Sequence, residues 1–452
     1  MTRLRSIASA RAAIVLAAAA LLSPVDTARA ADEDDARLEA LEERIEELET
    51  ERDAAREGSE SRFGPGAWTR HVRIGGSANV GWYDGQSDGV VAGSGFQVRD
   101  ARFFVDAELG QELALFGHTI VRNAGFSFEW DLVRIGMLSN RVGEAYAELQ
   151  GIGGSEWLNF QLGRFQIPVG EAYLRYSRGR WKNAFISQPV GGTWFWDEGV
   201  KLYGRDVRGR FAYVASITEN ETAFNASVSS QKQYSLKLMT DPTPWLHLSA
   251  SFLYGGDVGS ATSPGSGGGL WLGETWARGI GVNTTLPVYQ NGAAVADGPF
   301  KVDSSWYAGA DAIFDFEDKA SVWLAYGAWD IGSPDGAYDR MIHSWIAEVV
   351  VYGSLFSPRL DGVYLGARAS GLGTYDDDRG YSYDVRTLAQ TGYNGRSLEE
   401  YSAVLGWQPI ELLVLRFEYT HRRATMVSGV PAAQLDYEDD LDAWGVEIGV
   451  HF

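Results

Sequence analysis

Arg175, Arg178, Arg180 and Lys182 place four cations within eight residues. Guanidinium forks match the paired oxygens of phosphate and carboxylate groups, so such a cluster in a confined space attracts anions. The alternative is that these side chains face bulk solvent or pair with nearby acids. Arg73, Arg102, Arg164 and Arg416 add to the same charge wherever bulges leave them facing inward. Catalysis has no comparable signature. A nucleophile needs a base within reach, and the six histidines (His71, His118, His247, His343, His421 and His451) are scattered outside any nucleophile motif. Cysteine is absent, which excludes a disulfide framework and a thiolate metal site. No metal cluster or phosphate-cradling glycine loop stands out, so neither an enzyme nor a cofactor is expected.

The elements that must hold these cations read as strands. Trp444, Val446, Ile448, Val450 and Phe452 fall on one face of the last segment, and Gly445, Glu447, Gly449 and His451 fall on the other. Leu413, Leu415, Phe417 and Tyr419 oppose Val414, Arg416, Glu418 and Thr420. Leu246, Leu248, Ala250, Phe252 and Tyr254 oppose His247, Ser249 and Ser251. Val72, Ile74, Ala78, Val80 and Trp82 oppose Arg73, Ser77, Asn79 and Tyr83. Period 2 with one apolar and one polar face is the pattern of a strand between lipid and a wet lumen, where charges on the second face are tolerated. The terminal aromatic Phe452 resembles the signal read by the outer-membrane insertion machinery. No stretch after residue 30 is long and apolar enough for a transmembrane helix. The expected fold is all-β, a transmembrane antiparallel barrel in the outer membrane of a Gram-negative cell, in contact with its lipid.

Connection lengths test this independently. A closing strand that ends in the periplasm requires short turns and long loops to alternate back along the chain. Short turns are expected at Gln408–Glu411, Leu355–Arg359, Glu317-Asp318, Asp241–Pro244, Arg205–Val207 and Gly151–Glu156. Long loops are expected between Tyr419 and Trp444, Gly371 and Ser397, Gly255 and Val302, and Gln166 and Trp196. The count comes to sixteen strands, with the third placed somewhere in Leu113–Val121. A barrel of that size encloses an aqueous channel. The cation cluster falls in its third outer loop.

The N-terminal region differs. Arg3, Arg5 and Arg11 precede an apolar run from Ala12 to Leu22 and an A-x-A site at Ala28–Ala30, the layout of an export signal over residues 1–30. Residues 31–66 are expected to form a periplasmic coiled-coil helix and linker. Leu38, Leu41, Ile45 and Leu48 recur at spacings of 3, 4 and 3. About three heptads are marginal alone, so partner helices are expected, with a solvated acidic stalk as the alternative. The barrel is expected over residues 67–452. Net charge is −21; the signal carries +3 and Ala31 to Arg62 carries −9, which leaves −15 for the rest. Such an acidic chain excludes nucleic acid as a partner. It does not exclude a local arginine ring, because screening acts over about 8 Å at physiological salt.

Several stretches then resemble the phosphate-selective porin family (porins O and P). Gln97-Val-Arg-Asp-Ala-Arg-Phe-Phe-Val105 is similar to the basic second-strand signature, with Asp100 where the family has a second Arg. Gly143-Glu-Ala-Tyr-Ala-Glu-Leu149, Leu162-Gly-Arg-Phe-Gln-Ile-Pro-Val-Gly170 and Asp197-Glu-Gly-Val-Lys-Leu202 resemble the stretches that follow. The resemblance implies a homotrimer of 16-stranded barrels, a third loop folded into the lumen, and passage of small hydrophilic or anionic solutes, phosphate among them. The alternatives are a general non-selective porin, or a barrel that anchors the coiled coil to the cell wall.

Overall fold

The computed structural model describes residues 72–85, 93–108, 112–134, 137–172, 183–192, 196–206, 209–219, 232–255, 271–274, 279–281, 288–290, 293–296, 304–317, 319–332, 339–374, 381–384, 392–426 and 440–452. The chain divides into two units, residues 1–70 and 71–452. The export signal and the coiled coil expected in the first unit lie outside the described residues.

The second unit is an antiparallel barrel of sixteen strands. They are β1 Val72–Gly85, β2 Gly93–Glu108, β3 Asn123–Arg134, β4 Met137–Gln150, β5 Asn159–Gln166, β6 Trp196–Arg205, β7 Phe211–Thr218 and β8 Gln233–Thr243. The second half is β9 Leu246–Gly255, β10 Ser304–Asp315, β11 Ala320–Gly332, β12 Arg340–Tyr352, β13 Val363–Gly373, β14 Gly392–Ile410, β15 Leu413–Met426 and β16 Asp440–His451. Each strand pairs with its successor, and β16 returns to β1 in register from Ser77↔His451 to Gly85↔Ala443. Gly76 and Phe452 exchange backbone bonds of 2.8 and 3.0 Å at this seam. Closure leaves no edge in the sheet, so every strand's backbone is satisfied without water.

The alternation expected from the sequence is realised in β16. Trp444, Val446, Ile448 and Val450 are exposed on the outer wall, while Gly445, Glu447 and Gly449 are buried inside. Tyr234, Leu236 and Leu238 on β8, and Leu248, Phe252 and Tyr254 on β9, continue the apolar exterior. Aromatic pairs collect near both rims: Trp82 with Trp444 (4.3 Å between ring centroids) at the loop end, and Trp157 with Tyr213 (6.3 Å) and Trp245 with Phe316 (6.2 Å) at the turn end. From Trp444 to Phe452 the strand rises about 27 Å, or roughly 20 Å along the axis at a tilt of about 40°. That is close to the apolar band of about 25 Å that a hydrocarbon core requires.

The third strand departs from the sequence reading. Leu113–Leu115 and His118–Val121 pair with each other as a separate small hairpin. Phe116 (φ 52°) and Gly117 (φ 78°) reverse the chain between them, and segments of three and four residues are too short to cross a bilayer. The real β3 carries Phe126, Trp130 and Leu132 exposed outside and Ser127, Glu129 and Asp131 buried inside. Only residues 135–136 then join β3 to β4 at the loop end. The turns read from 151 onward, by contrast, sit where the alternation requires, with residues 244–245, 316–319 and 411–412 among the shortest connections.

Candidate functional site

Loop 3 joins β5 to β6 through residues 167–195, and its described parts run inside the barrel. Phe185, Ile186 and Val190 are wholly buried, as is Val169. Irregular backbone inside a barrel needs partners for its N–H and C=O groups, and the inner faces of the strands supply them at two separate places.

The first tie is at residues 170–171. Lys237 on β8, fully buried, donates to the Gly170 carbonyl and pairs with the Glu171 carboxylate, both at 2.6 Å. Ser251 on β9 accepts from the Gly170 N–H at 3.0 Å. His247 on β9 lies 3.1 Å from Glu171, and Asp311 on β10 accepts from Trp323 at 3.0 Å beside the Glu171 N–H at 3.4 Å. Burial raises the Glu171 carboxyl, but Lys237 and His247 outweigh it and hold the group down at about 2.

The second tie is at residues 183–190. Arg416 on β15 donates to the carbonyls of Phe185 (2.8 Å) and Asn183 (3.2 Å). Glu418, two residues on and so on the same inner face, accepts from the Ile186 N–H, the Ser187 N–H and the Ser187 hydroxyl. Arg368 on β13 donates to Ser187 and lies 4.3 Å over the Phe185 ring. Ser370 accepts from Val190 N–H at 3.1 Å, and Tyr364 donates to the Ala184 carbonyl at 2.9 Å. Tyr364 can lie there because Gly406 leaves room; a Cβ at Gly406 would sit 1.9 Å from its ring. Phe185 also packs on Val350, Tyr364, Val404 and Val414, which makes this contact partly dry.

The cations expected from sequence divide three ways. Arg175, Arg178, Arg180 and Lys182 lie outside the described residues. Arg73 stands at the start of β1, 77% exposed, bonded to Glu108 at 2.7 Å, and is not brought to the others. Arg102, Arg164 and Arg416 all reach the interior, but each meets carboxylates. Arg102 lies 3.0 Å from Asp100 and 3.5 Å from both Glu129 and Asp131. Arg164 pairs with Glu198 at 2.7 Å, and Arg416 pairs with Glu447. Asp100, the departure from the family's basic run, is thus a partner of the arginine two residues on.

Sequence reading passed over Arg99, Lys237, Arg368 and Arg422. The signal was present for Lys237, which alternates with Leu236 and Leu238, and for Arg368 between Ala367 and Ala369. Arg99 and Arg416 share Glu447, while Arg422 pairs with Glu400 at 3.1 Å. Arg368 lies 3.7 Å from Glu348 and from Glu400, and 3.9 Å from Glu418. On this wall four arginines therefore meet four glutamates. The result is a set of local dipoles that grips a loop, with no net positive field from these eight groups. Among the described residues no group of three or more His, Asp or Glu is arranged to hold a metal ion.

No protein-family model matches the chain, and no curated protein matches it. Solved structures do. In-vitro folded OmpT, an outer membrane protein of Vibrio cholerae, is 11% identical over 84% of this chain and 97% of its own, with a TM-score of 0.52. This chain has the barrel fold of that protein. The trimer form of OmpT aligns as well (11% identity, 84% and 99% covered, TM-score 0.52), and so does OprB of Pseudomonas putida in its high-pH structure (11%, 85% and 95%, TM-score 0.51). At such identity the likeness extends to the fold alone. The lining residues are read from this chain.

Proposed function

We propose that this chain is an outer-membrane porin that lets small hydrophilic solutes diffuse passively. The single observation that carries this reading is the combination in one wall of an exposed apolar exterior and a polar interior, with loop 3 bonded across that interior. A loop held at two places narrows an aqueous lumen without filling it with apolar core. The export signal over residues 1–30 and the barrel fold support an outer-membrane location, with residues 31–66 in the periplasm. The trimer form of OmpT and the heptad spacing Leu38–Leu48 support a homotrimer. The reading assigns the chain no catalysis. Purified protein in a planar bilayer should give discrete conductance steps; their absence overturns the porin reading and leaves a barrel that anchors the coiled coil.

A second reading is a preference for anions, phosphate in particular. It draws on Arg175, Arg178, Arg180 and Lys182 and on the resemblance of Gln97–Val105, Gly143–Leu149 and Leu162–Gly170 to phosphate-selective porins. The ion-paired arginines of the wall favour the general porin instead, because Arg102, Arg164 and Arg416 spend their charge on Asp100, Glu198 and Glu447. Reversal potentials in chloride and phosphate gradients separate the two: a shift toward the anion potential supports selectivity, and a near-zero potential supports a general pore.

A further inference from the structure

His247 stands second in β9, and both of its ring nitrogens face a carboxylate. Nδ1 lies 2.6 Å from Asp241 on β8, and Nε2 lies 3.1 Å from Glu171 in loop 3. Carboxylate oxygens accept hydrogen bonds, so each contact needs a proton on the nitrogen that makes it. A neutral imidazole carries one such proton. Whichever nitrogen keeps it, the other then points a lone pair at a carboxylate oxygen. Both bonds hold together only in the imidazolium form. The ring is 26% exposed, so protons from the lumen reach it.

We infer that His247 is a proton-operated tie that holds loop 3 to the barrel wall when charged and loosens it when neutral. The inference rests on the porin reading and names a regulation of that pore. The groups around the ring support it. From β8 come Asp241 and Lys237, from β10 Asp311, and from loop 3 Glu171; Arg210 meets Asp241 through its backbone carbonyl. Lys237 is fully buried and bonded to Glu171 and Gly170, so it keeps one end of loop 3 in place in either state. His247 adds a second, partly solvated contact to the same Glu171 oxygen. Asp241 is the nearer partner, so the neutral ring keeps its one proton on Nδ1; deprotonation then turns the Nε2 lone pair toward Glu171 and leaves Lys237 to hold that carboxylate. The effect is confined to residues 169–172, because residues 183–190 are held by a separate set of groups, Arg368, Arg416 and Glu418.

Hydrogen exchange of the full-length protein in detergent, from pH 5 to 9 and corrected for intrinsic rates, tests this. Amide protection of residues 169–172 is expected to fall about tenfold as pH rises through the imidazole range, the loss of about one charge-assisted bond, while residues 183–190 stay level. His247→Gln should give low, pH-independent protection at residues 169–172. Asp241→Asn, which leaves a neutral ring with one carboxylate and one amide to meet, should flatten the profile as well, and it serves where His247→Gln folds poorly. A level wild-type profile overturns the tie, as does a His247→Gln protein that keeps the wild-type profile. Protection does not depend on conduction. Conductance steps with a level profile refute the tie alone, and the pH profile without conductance refutes the porin reading alone.

Discussion

Arg416 and Phe185 are 231 residues apart in sequence, yet the guanidinium of one donates to the backbone carbonyl of the other at 2.8 Å inside the barrel. The same guanidinium pairs with Glu447 on the neighbouring strand. One wall residue thus fastens the third loop and is itself held in place by the closing strand.

Glu418 is the strongest single anchor of that loop, with three donors of Ile186 and Ser187 on one buried carboxylate. Glu418→Ala should strand those donors and leave Arg368 short of a partner, at a cost of about 3 kcal/mol. The expected result is higher single-channel conductance with more current noise, and a lower temperature for loss of the folded band on semi-native gels. A variant with wild-type conductance, noise and melting would show that the loop is held elsewhere.

Room at Gly406 is a second requirement. Gly406→Ala should push the Tyr364 ring off the strand and break its bond to Ala184. Tyr364→Phe, which removes the bond and keeps the ring, should cost about 1 kcal/mol, and Gly406→Ala should cost more through strain. Thermal melting of the two variants side by side checks the order; equal melting would mean that the close approach carries no energy.

If the loop cations set selectivity, replacing Arg175, Arg178 and Arg180 with Ala should move the reversal potential toward cation preference. Removing Arg102 should do less, since its charge is already met by Asp100, Glu129 and Asp131. An unchanged potential in the triple variant would remove the loop cations from the permeation path.

The trimer expectation rests on the heptad residues Leu38, Leu41, Ile45 and Leu48. Deleting residues 33–57 should lower the oligomer fraction on native gels, and adding salt should not restore it, because apolar a and d contacts are the ones lost. Oligomers that survive unchanged would assign trimer formation to the barrel wall.

The sequence by itself determined the architecture. A strand between lipid and water must alternate every residue, so Trp444–Phe452 and Leu413–Thr420 could be read directly, faces included, and Glu447, Arg416 and Glu418 were legible as lumen residues. The third strand was equally legible in Phe126, Phe128, Trp130 and Leu132, and the apolar residues Leu113, Leu115 and Ile120 drew the reading away from it. Only the tertiary structure decided two further matters. The first is facing near bulges. Arg99 and Arg102 are an odd number apart and should point to opposite sides, but β2 carries an extra residue against β1 between Val98 and Asp100, and both point inward. The second is partnership. Loop 3 has no periodicity to reveal that residues 185–192 are buried, and the pairs Arg416–Phe185, Lys237–Glu171 and His247–Glu171 join residues 66 to 231 positions apart. Alternation is a local property of one strand and survives in one dimension. Ion pairing across a lumen depends on which strands the closed barrel sets opposite the loop, and that exists only once the sheet has closed.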